Sequence, residues 1–162
     1  MKIDIGCGVR KQPDHVGVDI RQFEGVDVIL DAGTQFWPWK DGTVDEIYTS
    51  HFIEHLTGMQ RVHFVNEAYR VLKPGGKLTM ICPSASSDRA YGDVTHQWPP
   101  VVPFWSLYLN REWRIDQKQA LHNDFYNCDF VGQANFGIHP SVIPHHKEYQ
   151  EFALTFFREA LS

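Results

Sequence analysis

Three stretches of this chain carry residues whose types and spacing could do chemistry. In Asp4-Ile5-Gly6-Cys7-Gly8, closed by Val16-Gly17-Val18-Asp19, one short apolar run enters paired glycines and a second ends on an acid. Glycines let a backbone approach a ligand where a Cβ would collide, with amide N–H groups turned towards it. The carboxylate of Asp19 could then accept hydrogen bonds from two vicinal hydroxyls, as on a ribose. His51-x-x-Glu54-His55 matches the inverted zinc-peptidase motif, in which two imidazoles on one helix face hold a metal and the carboxylate acts as base. A third ligand would have to come from Asp93 or His96. The competing reading is structural: the stretch closes a strand, and Glu54 and His55 pair by a hydrogen bond where a helix begins. That second reading is preferred here, and no metal is expected. Asp93-Val94-Thr95-His96 offers a histidine able to take a proton from a hydroxyl or amine near neutral pH. The same segment reads as an Asx-type turn in which Asp93 orders the loop.

These stretches must be held by neighbouring elements. Lys2 to Ile5, Val16 to Asp19, Val26 to Leu30, Val44 to Thr49 and Lys77 to Cys82 read as short buried strands. From about Gly58 to Lys73, Val62, Val65, Tyr69 and Leu72 recur at three- and four-residue steps, which predicts one helix ended by Pro74-Gly75-Gly76. Strands alternating with a helix imply a parallel sheet with right-handed crossovers. Only Val9 to His15 and Ile20 to Gly25 separate the first three strands, too few for full helical crossovers. Pro83 to Pro103 reads as a substrate loop after the last of these strands. Phe104 to Trp113 is expected to form a short helix with Trp105, Tyr108, Leu109 and Trp113 on one face. Phe125 to Ile138 and Tyr149 to Phe157 are expected as closing strands.

The glycine turn, Asp27-Val28-Ile29-Leu30-Asp31, the run Thr43 to Leu56 and Arg70-Val71-Leu72-Lys73-Pro74-Gly75-Gly76-Lys77-Leu78 occur in this order. Together they resemble the class I S-adenosylmethionine-dependent methyltransferases, well over residues 1 to 98 and in outline beyond. The resemblance implies a doubly wound, mostly parallel α/β sheet with an antiparallel last strand, here with reduced helices and a more open pocket. It implies S-adenosylmethionine as cofactor, with Asp4, Gly6 and Gly8 on its methionine side and Asp19 at the ribose. Asp31 and Ala32 would sit by the adenine, Ser50 and His51 would face the cofactor, and Cys7 and Ile20 complete the set.

The division expected is one domain over 1–162: a cofactor core at 1–82, a substrate excursion at 83–120 and closing strands at 121–162. A hydrophobic share of 43% and a charged share of 22% are ordinary for a soluble domain. No apolar run approaches the ~20 residues of a membrane span, and Met1 leads straight into a strand without a signal peptide. Cys7, Cys82 and Cys128 are scattered, which argues for reduced thiols and a cytoplasmic setting. A net charge of −5 with dispersed basic residues disfavours a dedicated nucleic-acid binder. The expected reaction is methyl transfer to an oxygen or nitrogen of a small-molecule or saccharide acceptor, with a homodimer as the one assembly considered. His96 is the first candidate base and His51 the second, with Ser84, Asp93, Thr95 and Trp98 on the acceptor. Trp37-Pro38-Trp39 and His145-His146 are read as packing and as an exposed turn. Arg10 and Lys11 are read as solvated charges. Two rivals stand beside this reading: a non-catalytic cofactor binder or partner-dependent subunit, and a metal-dependent hydrolase through His51, Glu54 and His55.

Overall fold

A computed structural model describes residues 1–138 and 150–158. Short β-branched runs form β1 (Lys2–Ile5), β2 (Val16–Asp19), β3 (Val28–Ile29) and β4 (Val44–Ser50). Helix α1 (Gly58–Val71) leads into β5 (Leu72–Pro83). Short helices α2 (Arg89–Gly92) and α3 (Arg111–Asp116) follow, then β6 (Phe130–Ile138) and β7 (Gln150–Arg158). The sheet runs β3-β2-β1-β4-β5-β7-β6. Its first five strands are parallel, and β7 is antiparallel to both β5 and β6. The predicted α/β class and the antiparallel last strand are both present.

The short links between β1, β2 and β3 form no helix. They are stitched instead by buried or strand-end carboxylates. Asp4 accepts the backbone N–H of Gln12 at 2.8 Å, and Asp27 accepts that of Gly17 at 2.7 Å and the Lys11 ammonium at 2.9 Å. Lys11 is thus an ion-pair partner rather than a solvated charge.

Helix α1 begins on a capping box, with Thr57 Oγ1 accepting the Gln60 N–H and Gln60 Oε1 accepting the Thr57 N–H. Phe64, Val65, Ala68 and Val71 are fully buried from it against Ile3, Ile47, Leu78 and Met80 of the sheet. Burying each large side chain contributes roughly 1.5–3 kcal/mol. Trp37, also fully buried, meets Phe64 edge-on at 5.4 Å and donates its indole N–H to Ala32 O. This is the packing role read for it.

The helix stops at Val71, two residues before the predicted end, because Leu72 already pairs with Val44. Pro74-Gly75-Gly76 forms an irregularity inside β5 rather than a helix stop, and pairing resumes at Glu46↔Lys77. Gly75 takes φ +77°, and Pro74 has no N–H to offer the ladder. The element expected over 104–113 is broken at Asn110. A 3₁₀ stretch (Pro103–Leu109) precedes α3, with Asn110 Oδ1 capping Trp113 N. Strand β6 starts at Phe130, five residues later than expected. His145-His146 lies outside the described residues.

Candidate active site

The parallel strands end together on one edge, and the chain leaves that edge at Gly6, Ile20, Leu30, His51 and Ser84. Two cavities open there. The first, about 550 Å³, is lined by Gly6, Asp19, Ile20, Asp31, Ala32, Phe52 and neighbouring residues. The second, about 760 Å³, is lined by Glu54, Pro83, Asp88, Arg89, Asp93, His96 and others. His51 and His55 belong to both walls.

Asp19 presents a carboxylate to the first cavity while each oxygen holds one backbone amide, Gly8 N–H on Oδ2 and Arg21 N–H on Oδ1, both at 3.0 Å. Each oxygen keeps a second lone pair for a ligand hydroxyl. Asp31 uses Oδ1 for the Gly33 N–H and Oδ2 for the Thr34 hydroxyl, so it shapes the turn that also brings Ala32 to the wall. Gly6 is needed twice over. Its φ is +71°, and a Cβ there would lie 2.7 Å from the Phe52 ring.

The turn differs from expectation in where its amides point. Gly6 N–H and Cys7 N–H both donate to Val18 O, and Gly8 N–H goes to Asp19. With no helix after the glycines, the turn folds back on β2 and spends its donors there. Asp4 is 2% exposed and serves the Gln12 amide, and burial pushes its carboxyl pKa up against that hydrogen bond. Cys7 is buried too, its thiol raised by burial and then by Asp4 and Asp19. Asp4, Cys7, Gly8 and Ser50 are absent from the lining of the first cavity.

His51 sits at φ +54° with its N–H bonded to Ile81 O. Residues 53–55 form a single 3₁₀ turn, so His51 and His55 share no helix face. The carboxylate of Glu54, 5% exposed, lies 3.2 Å from His51 Nδ1. Glu54 therefore pairs with His51 and not with His55, contrary to the sequence reading. His55 Nδ1 instead meets Thr95 Oγ1 at 3.0 Å, and Thr95 donates its hydroxyl hydrogen to Asp93 Oδ1 at 2.6 Å. Asp93, held below the usual carboxylate range mainly by the Thr95 hydroxyl, does order the loop as an Asx turn.

Two residues expected on the acceptor side lie outside the linings of both cavities. Ser84 is 3% exposed and bonds Ser86, and Trp98 is 79% exposed. Neither lines either of these two cavities, since Ser84 is consumed by its own turn and Trp98 projects beyond the loop.

Arg61 went unnoticed in the sequence. It is 5% exposed, and its guanidinium donates to the carbonyls of Ile53, Gln97 and Pro99 at 3.1, 3.1 and 2.6 Å. Burial lowers its pKa, yet it remains a cation that clamps the 97–99 loop to the 53–55 turn. A charged residue on a helix reads as solvated; nothing local signals otherwise.

Residues 3–80 match the family model described as a methyltransferase domain. Those residues, just under half of the chain, carry the pattern of a methyltransferase domain. No curated protein matches the sequence significantly. Solved structures agree in fold. A SAM-dependent methyltransferase from Archaeoglobus fulgidus is 18% identical with a TM-score of 0.64, over 97% of this chain and 85% of that one. One from Methanosarcina mazei gives 15%, 0.63, 99% and 92%. A Thermotoga maritima SAM-dependent methyltransferase, described as a possible histamine N-methyltransferase, gives 17%, 0.55, 98% and 82%. The 550 Å³ cavity fits the methyltransferase cofactor: it is within the size range of nucleotide-type sites, carries the Asp19 carboxylate, and is open where a Cβ on Gly6 would force Phe52 to move. Among the described residues no helix is long and apolar enough to cross a membrane.

Proposed function

We propose that this methyltransferase domain methylates an oxygen or nitrogen of a small-molecule or saccharide acceptor seated in the 760 Å³ cavity. The observation that carries the reading is His51, which belongs to the walls of both cavities and so stands where cofactor and acceptor would meet. When bound, S-adenosylmethionine supplies a sulfonium methyl that the acceptor takes by direct displacement, leaving S-adenosylhomocysteine. This chain's residues supply position and proton transfer. Asp19, Ile20, Asp31 and Ala32 hold the nucleoside end, and Gly6 leaves it room.

His51 is the proton acceptor best supported by this geometry. The Glu54 carboxylate at its Nδ1 fixes the ring and favours the imidazolium that forms. His96, ranked first from the sequence, lies on the acceptor wall alone. Asp88, Arg89 and Asp93 give that wall charges of both signs, suited to a polar, hydroxylated acceptor rather than an apolar one. The expectations of no nucleic-acid partner and of a cytoplasmic location belong to the same reading.

The test is twofold. Native mass spectrometry of purified protein should find S-adenosylmethionine or S-adenosylhomocysteine, and an acceptor screen should find turnover that His51→Ala lowers about 10²–10⁴-fold. An acceptor methylated equally well by His51→Ala would remove the assigned base. A protein that binds cofactor and methylates nothing would favour the non-catalytic alternative.

A further inference from the structure

We infer that Glu54, His55 and His96 form a divalent transition-metal site in the wall of the acceptor cavity. One ligating atom from each lies within 4.8 Å of those of the other two, and all three residues line the cavity. The rings of His55 and His96 meet at 4.8 Å, edge to face.

The hydrogen bonds around the cluster decide which atoms remain for an incoming group. Thr95 gives its one hydroxyl hydrogen to Asp93, so its oxygen must accept from His55 Nδ1–H. His96 Nδ1 faces Ala90 O at 3.2 Å, and a carbonyl can only accept. Both rings therefore carry hydrogen on Nδ1 and a lone pair on Nε2. The third member adds an independent observation: Glu54 Oε2 is buried and has no hydrogen-bond partner, while Oε1 serves His51. A buried carboxylate oxygen without a donor is costly. Three acceptor atoms and no donor are what a cation requires. The Asp93 carboxylate, with Oδ2 3.9 Å from His96 Nε2, brings no hydrogen either.

Two imidazoles and a carboxylate suit a borderline divalent ion such as Zn²⁺, Co²⁺ or Mn²⁺. Donors about one such ion sit roughly 3.4 Å apart for bonds near 2.1 Å, so the ion draws these side chains inward. The Asp93–Thr95–His55 chain and the Ala90 carbonyl supply the outer hydrogen bonds that orient metal-bound histidines. Positions left open face the acceptor cavity, where a hydroxyl oxygen completes the shell. That last point rests on the methyl-transfer reading, whereas the ion site itself does not. The site replaces the metal-free expectation drawn from the sequence, with His55 and His96 as the imidazoles instead of His51 and His55. His96 is then a ligand, and His51 stays on Glu54 Oε1 as proton acceptor.

The experiment is calorimetric titration of chelator-treated protein with Zn²⁺ and Co²⁺, with Co²⁺ absorption as a second readout and S-adenosylhomocysteine titrated into the same samples. One ion per chain is expected. His55→Ala and Glu54→Gln should each weaken it at least about tenfold, and Thr95→Val by about tenfold through the outer hydrogen bond. His122→Ala, exposed and belonging neither to the cluster nor to the cavity lining, should change nothing. His55→Ala keeps the proposal testable should Glu54→Gln fail to fold. Equal ion affinity in wild type and His55→Ala, or no binding in the millimolar range, overturns the site. Loss of S-adenosylhomocysteine binding with the ion retained would instead count against the methyl-transfer reading.

Discussion

The buried carboxylate of Asp4 and the backbone N–H of Gln12 meet at 2.8 Å, and this bond does part of the work a crossover helix would do between β1 and β2. Removing the acceptor leaves a donor unsatisfied beneath the site. Asp4→Ala should cost about 1–3 kcal/mol in urea unfolding, and Asp4→Asn, which keeps an acceptor oxygen, considerably less. The pH dependence has a sign. Burial raises the native pKa above the ordinary carboxyl value of 3.8, so the native state holds its proton to higher pH than the unfolded chain. Asp4's contribution is full below the unfolded pKa and is lost as pH rises through the native one, a trend Asp4→Asn should abolish.

Asp19→Ala should weaken S-adenosylhomocysteine binding by about 1.5–3 kcal/mol, the worth of charge-assisted hydrogen bonds. Because Asp19 also accepts the Gly8 and Arg21 N–H groups, one on each oxygen, and Asn keeps only one acceptor, thermal unfolding of Asp19→Ala and Asp19→Asn is read beside the affinity to separate the two effects. Calorimetry showing undiminished affinity in both variants would refute the ribose assignment.

Gly6→Ala should fail for two physical reasons at once. It strains a residue at φ +71° and drives a methyl to 2.7 Å from the Phe52 ring, which lines the cofactor cavity. A loss of about 1–3 kcal/mol in stability should come with weaker cofactor binding. Thermal melting with and without S-adenosylhomocysteine reads both.

Arg61→Met should detach the acceptor loop while leaving the cofactor cavity in place, since Arg61 bonds the carbonyls of Gln97 and Pro99. The Gln97 amide, bonded to Glu54 O at 2.8 Å, is the reporter. Its hydrogen exchange should quicken by an order of magnitude or more. Unchanged protection would make the clamp dispensable.

Glu67 accepts the backbone N–H of Trp37 and the Nε–H and Nη2–H of Arg70. Burial pushes its pKa up, but Arg70 and the Trp37 amide outweigh burial and hold it below the ordinary glutamate value of 4.5. The stability it contributes is therefore present above the unfolded pKa and lost as pH falls through the native one. Urea-unfolding midpoints of wild type and Glu67→Gln, measured across a range of pH, should converge at low pH and separate above about 4.5.

Sequence by itself determined what depends on near neighbours. The strands β1 and β2 are legible in four-residue β-branched runs, and α1 in its apolar stripe. The left-handed turn at Gly6 and the Asx turn at Asp93 need only the residues beside them. The parallel order then brings Gly6, Asp19, Asp31 and His51 to one edge, because each follows the carboxyl end of a strand. Only the tertiary structure decided which partner each polar group takes. Asp4 serves a loop amide because the link to β2 is too short for a helix, and Arg61 is buried because a loop some 36 residues away offers it carbonyls. Glu54 turns to His51, leaving His55 to Thr95, because a positive φ at His51 breaks the helical face the spacing suggested. Hydrogen-bond partners separated by tens of residues are chosen by packing, and spacing along the chain carries no record of that choice.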